Sequence, residues 1–356
     1  MPHPPVLVAA QAPQTGITVK VRWPIEREKR LAEAGSIRIE LFGTRFDSIV
    51  NNVATVIQGK RDVIELMVLA MVSEGHVLIE DVPGVGKTQL AKSLAKSIDG
   101  KFHRIQFTPD LLPSDVTGVS VWDRNNAAFE FKAGPIFANV VVGDEINRAS
   151  PKTQSALLEA MEERQVTSDG VTRELPPPFM VIATQNPLEH EGTYPLPEAQ
   201  LDRFMMRVVI GYPSREKELE ILDTHGVRST YHDLKPVASL SEVLELVDIA
   251  REVAVSPSVK NYIVDLVEGT RLHPDVMLGA SPRSALFLQR ISRSRAASHG
   301  RDYVMPDDIK ALANSVLEHR LALRPEAQMR GETIDSVIDD VMGRIRVPGT
   351  TSRIAT

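Results

Sequence analysis

The sequence predicts an α/β fold, a parallel sheet with helices on both faces, followed by an all-helical domain. Three observations carry this. Residues 44–211 alternate short apolar runs with segments whose apolar residues recur at helical spacing, the pattern of strand–helix–strand units. A glycine-rich loop, Pro83 to Thr88, lies between one such run and one such helix. Beyond residue 212 strand-like runs vanish and long amphipathic segments follow.

Taken in order, residues 1–43 read as a peripheral, partly flexible arm. PHPP, QAPQTG and AGS are breaker-rich, Pro24–Ala34 suits one short charged helix, and Ile37–Leu41 suits an added strand. Phe46–Ile57 and Asp62–Val72 carry apolar residues at helical spacing, and HVLIE (His76–Glu80) is a short buried strand. Thr88–Ile98 repeats Leu90, Ala91, Leu94, Ala95 and Ile98 on one helix face. Phe102–Phe107, Val140–Val142 and Phe179–Thr184 read as further strands, with a helix at Pro151–Glu163 that has proline in its first turn. Two hairpins interrupt this core. One joins Val116–Trp122 to Ala128–Lys132 within an insertion near 113–135, and Val166–Leu175 turns at Asp169-Gly170, a pair suited to a type I′ turn. The boundary falls near Gly211–Ser214. Residues 212–345 then form the helical domain, with helices at Arg215–Thr224, Ser241–Glu252, Ser258–Glu268, Arg283–Ser298, Pro306–Arg320 and Ile334–Ile345, and residues 346–356 form a tail.

Composition narrows the function classes. The chain has 356 residues, enough for about two domains at roughly 150 residues each. Its formal charge of −6 gives no whole-molecule attraction to nucleic acid or an anionic membrane. With no cysteine, disulfides, thiol catalysis and Cys-ligated metals are excluded. Nine histidines occur without a pairing such as HExxH. No apolar run approaches the ~20 residues of a spanning helix. The opening MPHPPVLVAAQAP lacks the charged region that precedes the apolar stretch of a secretory signal, so a cytoplasmic location is expected.

The chemistry concentrates in a few peptides. Pro83, Gly84, Val85, Gly86, Lys87, Thr88 and Gln89 follow the strand HVLIE and open a helix, the context that a phosphate loop requires. Glycines let backbone N–H groups turn inward as an anion nest, and the helix N-terminus adds its partial positive charge. Lys87 is placed to reach the β- and γ-phosphates of ATP, and the Thr88 hydroxyl to ligate Mg²⁺. The pattern GxxxxGK[ST] departs at its first position, where this chain has Asp81. Val140–Glu145 then delivers two carboxylates at the carboxyl end of an apolar strand, where α/β sites lie. Asp144 is suited to hold Mg²⁺ through its water shell, and Glu145 to polarise the attacking water. Gly143 implies close packing. Asn186 ends the strand FMVIAT; its amide either orients that water or touches the γ-phosphate, or it is a turn residue before Pro187.

These motifs in this order, followed by a helical domain, resemble the AAA+ ATPases. Asp144–Ala149 (DEINRA), Ala183–Pro187 (ATQNP) with Glu191–Pro197 (EGTYPLP), and Glu198–Met205 (EAQLDRFM) are similar to the MoxR family, over about residues 44–325. The resemblance implies ring assembly, commonly a hexamer, with ATP between subunits. It makes Arg203 an arginine finger for a neighbour's γ-phosphate and Arg283, in Ser281-Pro282-Arg283, the second sensor. It assigns Val56, Ile57 and Gly59, in Val56–Gly59, to the adenine. It implies chaperone-like assembly or activation of client proteins, often metalloenzymes, and von Willebrand factor A domain partners. The insertion resembles that of the helix-2-insert branch, as a pore-facing hairpin or a structural flap.

Read from the residues themselves, Arg203 lies between Leu201-Asp202 and Phe204-Met205 and suits either a finger, worth about 10³–10⁵ in rate, or a local pair with Asp202, worth at most about 1 kcal/mol when exposed. Arg283 lies beside a helix N-terminus, where a cation is unfavourable without an anion nearby. Arg283, Arg290, Arg293, Arg295 and Arg301 run without an intervening acid, yet no aromatic series accompanies them for base stacking. The reading is a Mg²⁺-dependent ATPase that remodels clients. Its rivals are the ATPase subunit of a metal chelatase, a nucleic-acid remodelling motor, and a non-hydrolysing nucleotide switch.

Overall fold

The computed structural model describes residues 25–186, 193–219 and 230–349. Most of the expected arm (1–24), Pro187, Glu191, Gly192, the end of the helix expected at Arg215–Thr224 and residues 350–356 lie outside the described residues.

A five-stranded parallel sheet forms the centre, in the order β2 (Phe102–Gln106), β5 (Val140–Asp144), β8 (Met180–Gln185), β1 (Val77–Glu80), β9 (Met206–Val208). Side chains alternate between its two faces, as strand geometry requires. Val77, Ile79, Val140, Val142, Met180 and Ile182 enter one apolar cluster, and Leu78, Val141, Val181 and Ala183 enter the other. The first cluster is closed by α1 (Ile25–Ala54), α2 (Arg61–Val72) and α3 (Lys87–Ser97), the second by α5 (Pro151–Glu163). Gly143 is closely packed, as foreseen: a Cβ there would lie 3.2 Å from the Phe107 ring and 3.3 Å from Leu157, so both would have to shift by a few tenths of an ångström.

Past the short α6 (Glu198–Leu201), the first cluster continues without a break into the lid: α7 (Leu240–Glu252), α8 (Pro257–Leu272), α9 (Pro282–Ser298), α10 (Pro306–Leu317), the short α11 (Pro325–Met329) and α12 (Ile334–Arg344). The lid is not wholly helical. Two short strands, β10 (Val276–Leu278) and β11 (Ala322–Leu323), pair antiparallel.

The strand expected at Ile37–Leu41 is instead part of α1, which also runs through the expected boundary at residue 43. Ile37, Ile39 and Leu41 alternate in sequence, but Ile39, Phe42, Phe46, Ile49, Val50 and Val53 share a helical face and are buried. That face packs on α2, α3 and the lid helix α9, while Arg45 pairs with Glu242 of α7 at 3.0 Å. The sequence also misses β9, three residues long, which pairs with β1.

Both hairpins form. The insertion begins with a short helix, α4 (Pro113–Thr117), before β3 (Gly118–Asp123) and β4 (Ala128–Ala133). In the second, β6 (Gln165–Ser168) and β7 (Val171–Glu174) are joined by Asp169 and Gly170, with φ of +54° and +74°, the paired positive values of a type I′ turn. Ser120 Oγ donates to Asp169 Oδ2 at 2.5 Å and so joins the two hairpins.

Candidate nucleotide site

Because β1, β5 and β8 are adjacent and parallel, the residues that follow them emerge on the same edge of the sheet, where ligands of open α/β sheets bind. A cleft of about 450 Å³ lies there. Pro83, Gly84, Gly86, Lys87, Thr88 and Gln89 line it from the glycine loop, Asp144 and Glu145 from β5, and Asn186 from β8. It also takes Lys92, Arg104 and Thr184, to none of which the sequence assigns a role, although Thr184 lies within ATQNP. Val85 turns inward onto the apolar core.

Gly84 and Gly86 have φ of +88° and +91°, and a Cβ on either would meet nothing within 4 Å. Conformation, not space, demands glycine here. No side chain caps α3, so its leading N–H groups remain available to an anion. Lys87 Nζ donates to the Asp81 carbonyl and, at 3.5 Å, to that of Gln185. Burial lowers the Lys87 pKa, against the opposing pull of Asp81, Asp144 and Glu145.

Asp81, the departure from the loop pattern, is a strut. Its buried carboxylate accepts the N–H of Val82 at 2.8 Å, of Ile210 at 2.7 Å and of Gly211 at 2.6 Å. It therefore joins the start of the phosphate loop to the end of β9, where the chain leaves for the lid.

The two carboxylates share one organiser. Thr184 Oγ1 donates to Asp144 Oδ1 at 2.5 Å and accepts the N–H of Glu145 at 3.0 Å. Arg104 donates from both Nε (3.0 Å) and Nη2 (2.5 Å) to Asp144 Oδ2. Glu145 Oε2 receives Gln106 Nε2 at 2.8 Å and Arg148 Nη1 at 2.9 Å. Glu145 has φ +56°, a left-handed conformation costly for a non-glycine residue and concentrated at functional sites. β2 thus supplies Arg104 and Gln106, one beside each carboxylate.

The donor set fits Mg²⁺ carried by a nucleotide. A hydroxyl from Thr88 and one carboxylate from Asp144, completed by phosphate oxygens and water, is how this ion is ordinarily held. Arg104 is half-exposed and can yield the Asp144 oxygen it covers. Among the described residues no group of three or more His, Cys, Asp or Glu is placed to hold a metal by itself.

Arg203 and Arg283 are not in this cleft. They line a second cavity, of about 400 Å³, and both pair with Glu162 of α5, Arg203 at 3.1 Å. The anion that Arg283 needs beside the N-terminus of α9 is therefore Glu162. The alternative pair between Arg203 and Asp202 does not form: Asp202 is occupied by Ser281 Oγ at 2.9 Å and by Arg320 Nε at 2.9 Å. Arg320 is almost wholly buried; desolvation lowers its pKa to about 10, against the attraction of Asp202. Within the arginine-rich stretch, Arg295 and Arg301 find their acid in space, at Asp308.

Val56, Ile57 and Gly59 lie in the turn between α1 and α2 and are not among the residues lining the phosphate cleft. Val56 is buried and Ile57 packs against the core, while Gly59, with φ +73°, lies against Lys217.

The model of the ATPase family associated with various cellular activities (AAA) matches residues 76–206, and that of the AAA lid domain residues 268–341. A crystal structure of a candidate ATPase from Cytophaga hutchinsonii superposes with a TM-score of 0.83 at 39% identity, over 90% of this chain and 99% of that one. The uncharacterized protein YeaC of Bacillus subtilis is 50% identical, across 84% of this chain and 93% of its own length. Chaperone MoxR1 of Mycobacterium tuberculosis is 42% identical, across 83% of this chain and 80% of its own length. The chain belongs to the MoxR family of AAA+ ATPases. As a MoxR-family ATPase it binds and hydrolyses ATP, and the expected α/β core and lid are those of its family. Among the described residues no helix is long and apolar enough to cross a membrane.

Proposed function

We propose that this ATPase works as a ring, commonly a hexamer in this family, in which Mg²⁺-dependent ATP hydrolysis drives chaperone-like remodelling or activation of client proteins. The observation that carries this is the separation of the charges. Lys87, Asp144, Glu145 and Asn186 gather at one cleft, whereas Arg203 and Arg283 gather at another cavity on a shared carboxylate. A phosphate in the first cleft lacks these two guanidiniums until another subunit brings them.

Within the cleft, Glu145 takes the proton of the attacking water and Asn186 orients that water or touches the γ-phosphate. Lys87 and the loop N–H groups hold the β- and γ-oxygens. Thr88 and Asp144 would hold Mg²⁺, which would supply charge neutralisation at those oxygens. Arg203 and Arg283 of the adjacent subunit reach the transferred phosphoryl, so both act in trans. Motion of the lid against the core transmits turnover to the client. The name of the M. tuberculosis relative, a chaperone, supports the remodelling role. The hairpin β3–β4 exposes Trp122 and Phe129, stacked edge-to-face with centroids 5.2 Å apart, a surface suited to an unfolded client segment. A von Willebrand factor A domain protein is the partner this family suggests, and the location that fits this role is the cytoplasm.

Two measurements test the reading. ATPase activity per subunit rises with protein concentration across the assembly range; a flat profile removes the neighbour's role. Glu145→Gln keeps ATP affinity and loses turnover by roughly 10²–10⁴, the weight of a general base; normal turnover removes Glu145 from that role.

A further inference from the structure

Three side chains of one lid turn contact the finger segment. Glu318, His319 and Arg320 form a single 3₁₀ turn after α10, and each contacts residues 202–207. Glu318 pairs with Arg207 of β9, whose Nε lies 2.6 Å from Glu80 at the end of β1. His319 Nε2 lies 3.2 Å from the Phe204 carbonyl. Arg320 donates to the Asp202 carboxylate, and to the carbonyls of Asp202 (3.2 Å), Phe204 and Met205 (3.3 Å). Its guanidinium lies 5.1 Å from the centre of the Phe287 ring of α9. The Asp202 carboxylate in turn accepts Ser281 Oγ, two residues before Arg283.

One buried guanidinium therefore fastens the peptide that carries Arg203 directly, and the peptide that carries Arg283 through Asp202 and Ser281. An arginine exposed at an interface is effective only when its backbone is held, since a displacement of about 1 Å can cost roughly 10² in rate. Five donors in a rigid fork suit Arg320 to this; a lysine has neither the fork nor the reach to several acceptors at once.

We propose that Arg320 is a positioning residue for the neighbour-directed arginines, and that the turn Glu318–Arg320 is the joint through which lid orientation sets where Arg203 and Arg283 point. This rests on the reading that those arginines serve the adjacent subunit.

The test is complementation between two defective chains. Arg320→Lys keeps its own cleft, because Lys87, Thr88, Asp144 and Glu145 are untouched; Glu145→Gln keeps its arginines. Arg320→Lys is expected to bind a fluorescent ATP analogue within about twofold of the parent and to lose roughly 10² in kcat with little change in KM. Mixed with Glu145→Gln, it recovers activity severalfold above the sum of the two alone, as Arg203→Ala does in the same mixture. A general loss of folding yields no such rescue. Unchanged kcat, or no rescue where Arg203→Ala is rescued, overturns the role of Arg320. Failure of the Arg203→Ala mixture itself overturns the neighbour reading instead. Should Arg320→Lys not fold, Ser281→Ala, which removes only the hydroxyl between Asp202 and the start of α9, is read in the same mixture. A several-fold loss of kcat with rescue supports the coupling, and unchanged kcat or unrescued loss overturns it.

Discussion

Arg203 and Arg283, 80 positions apart in the chain, close on the same carboxylate, Glu162, the first at 3.1 Å. All three side chains are about one-third exposed. Exposed pairs of this kind contribute at most about 1 kcal/mol each, so the cluster adds little to stability and a stronger anion can displace Glu162.

If both arginines reach one phosphoryl group, their removal is not additive. Arg203→Ala is expected to lower kcat by roughly 10³, the lower end of the arginine-finger range. Adding Arg283→Ala lowers it by much less than Arg283→Ala does alone, because residues that act as a unit share one loss. Steady-state kcat of the two single variants and the double variant measures this. Multiplying effects place the two guanidiniums at independent tasks.

Thr184 joins Asp144 to the backbone of Glu145 while only 2% exposed. Thr184→Val keeps the shape and leaves both partners without the hydroxyl. Unfolding free energy from urea titration is expected to fall by about 1–3 kcal/mol, and kcat to fall more than KM rises, because the carboxylates lose their alignment rather than the nucleotide its grip. An unaltered kcat shows that the bridge is structural alone.

Asp81 accepts three backbone N–H groups that span the phosphate loop and the end of β9. Asp81→Ala is expected to cost at least about 2 kcal/mol, since hydrogen bonds to a charged group contribute about 1.5–3 kcal/mol each. Asp81→Gly, which restores the ordinary loop pattern, is expected to be no better. Chemical denaturation compares them, and a glycine variant as stable as the parent denies the strut.

Acid is expected to weaken the fold through His76. This side chain is buried between the Met161 carbonyl, 3.0 Å from Nε2, and the Val181 N–H, which donates to Nδ1 at 2.9 Å. Burial is the main cause that holds its pKa down to about 4 from the ordinary 6.5, and Arg164 adds to it. The sign follows from proton counting: below 6.5 the unfolded chain binds a proton that folded His76 refuses. Its stability is fully present above pH 6.5 and drains as pH falls towards 4, by about 2 kcal/mol between 6.5 and 5. His319, also held well below its ordinary value by burial first and then by Arg320, acts in the same direction. Urea titrations at pH 5 and 7 test this, with His76→Gln expected to show the smaller difference.

The cleft was legible because its parts are local. Pro83–Thr88 and Asp144-Glu145 each sit at the carboxyl end of an apolar strand, and strand ends in a parallel sheet converge whatever else the chain does. Arg104, Gln106 and Thr184 were not legible. Arg104 and Gln106 sit on β2 as ordinary polar residues at period two, and only the pairing of β2 with β5 brings them to Asp144 and Glu145. The alternation at Ile37–Leu41 misled for the same reason, since a short run is ambiguous until its partner surface is known. For Asp81, the sequence showed a departure from the glycine pattern, but its partners lie at residues 210 and 211.

What the sequence alone determined is the set of candidate groups and their order: a glycine-rich loop, a carboxylate pair, an asparagine at a strand end and two arginines, on an α/β core with a lid. Backbone conformation and residue type specify these within a few positions. Only the tertiary structure decided how they are shared out. It put Arg203 and Arg283 together on Glu162, away from the phosphate cleft, and tied their peptides to one buried Arg320. The reason is physical. A charge buried between lid and core must find its partners across whatever chain separation the packing allows, so its position records the fold and not the local pattern.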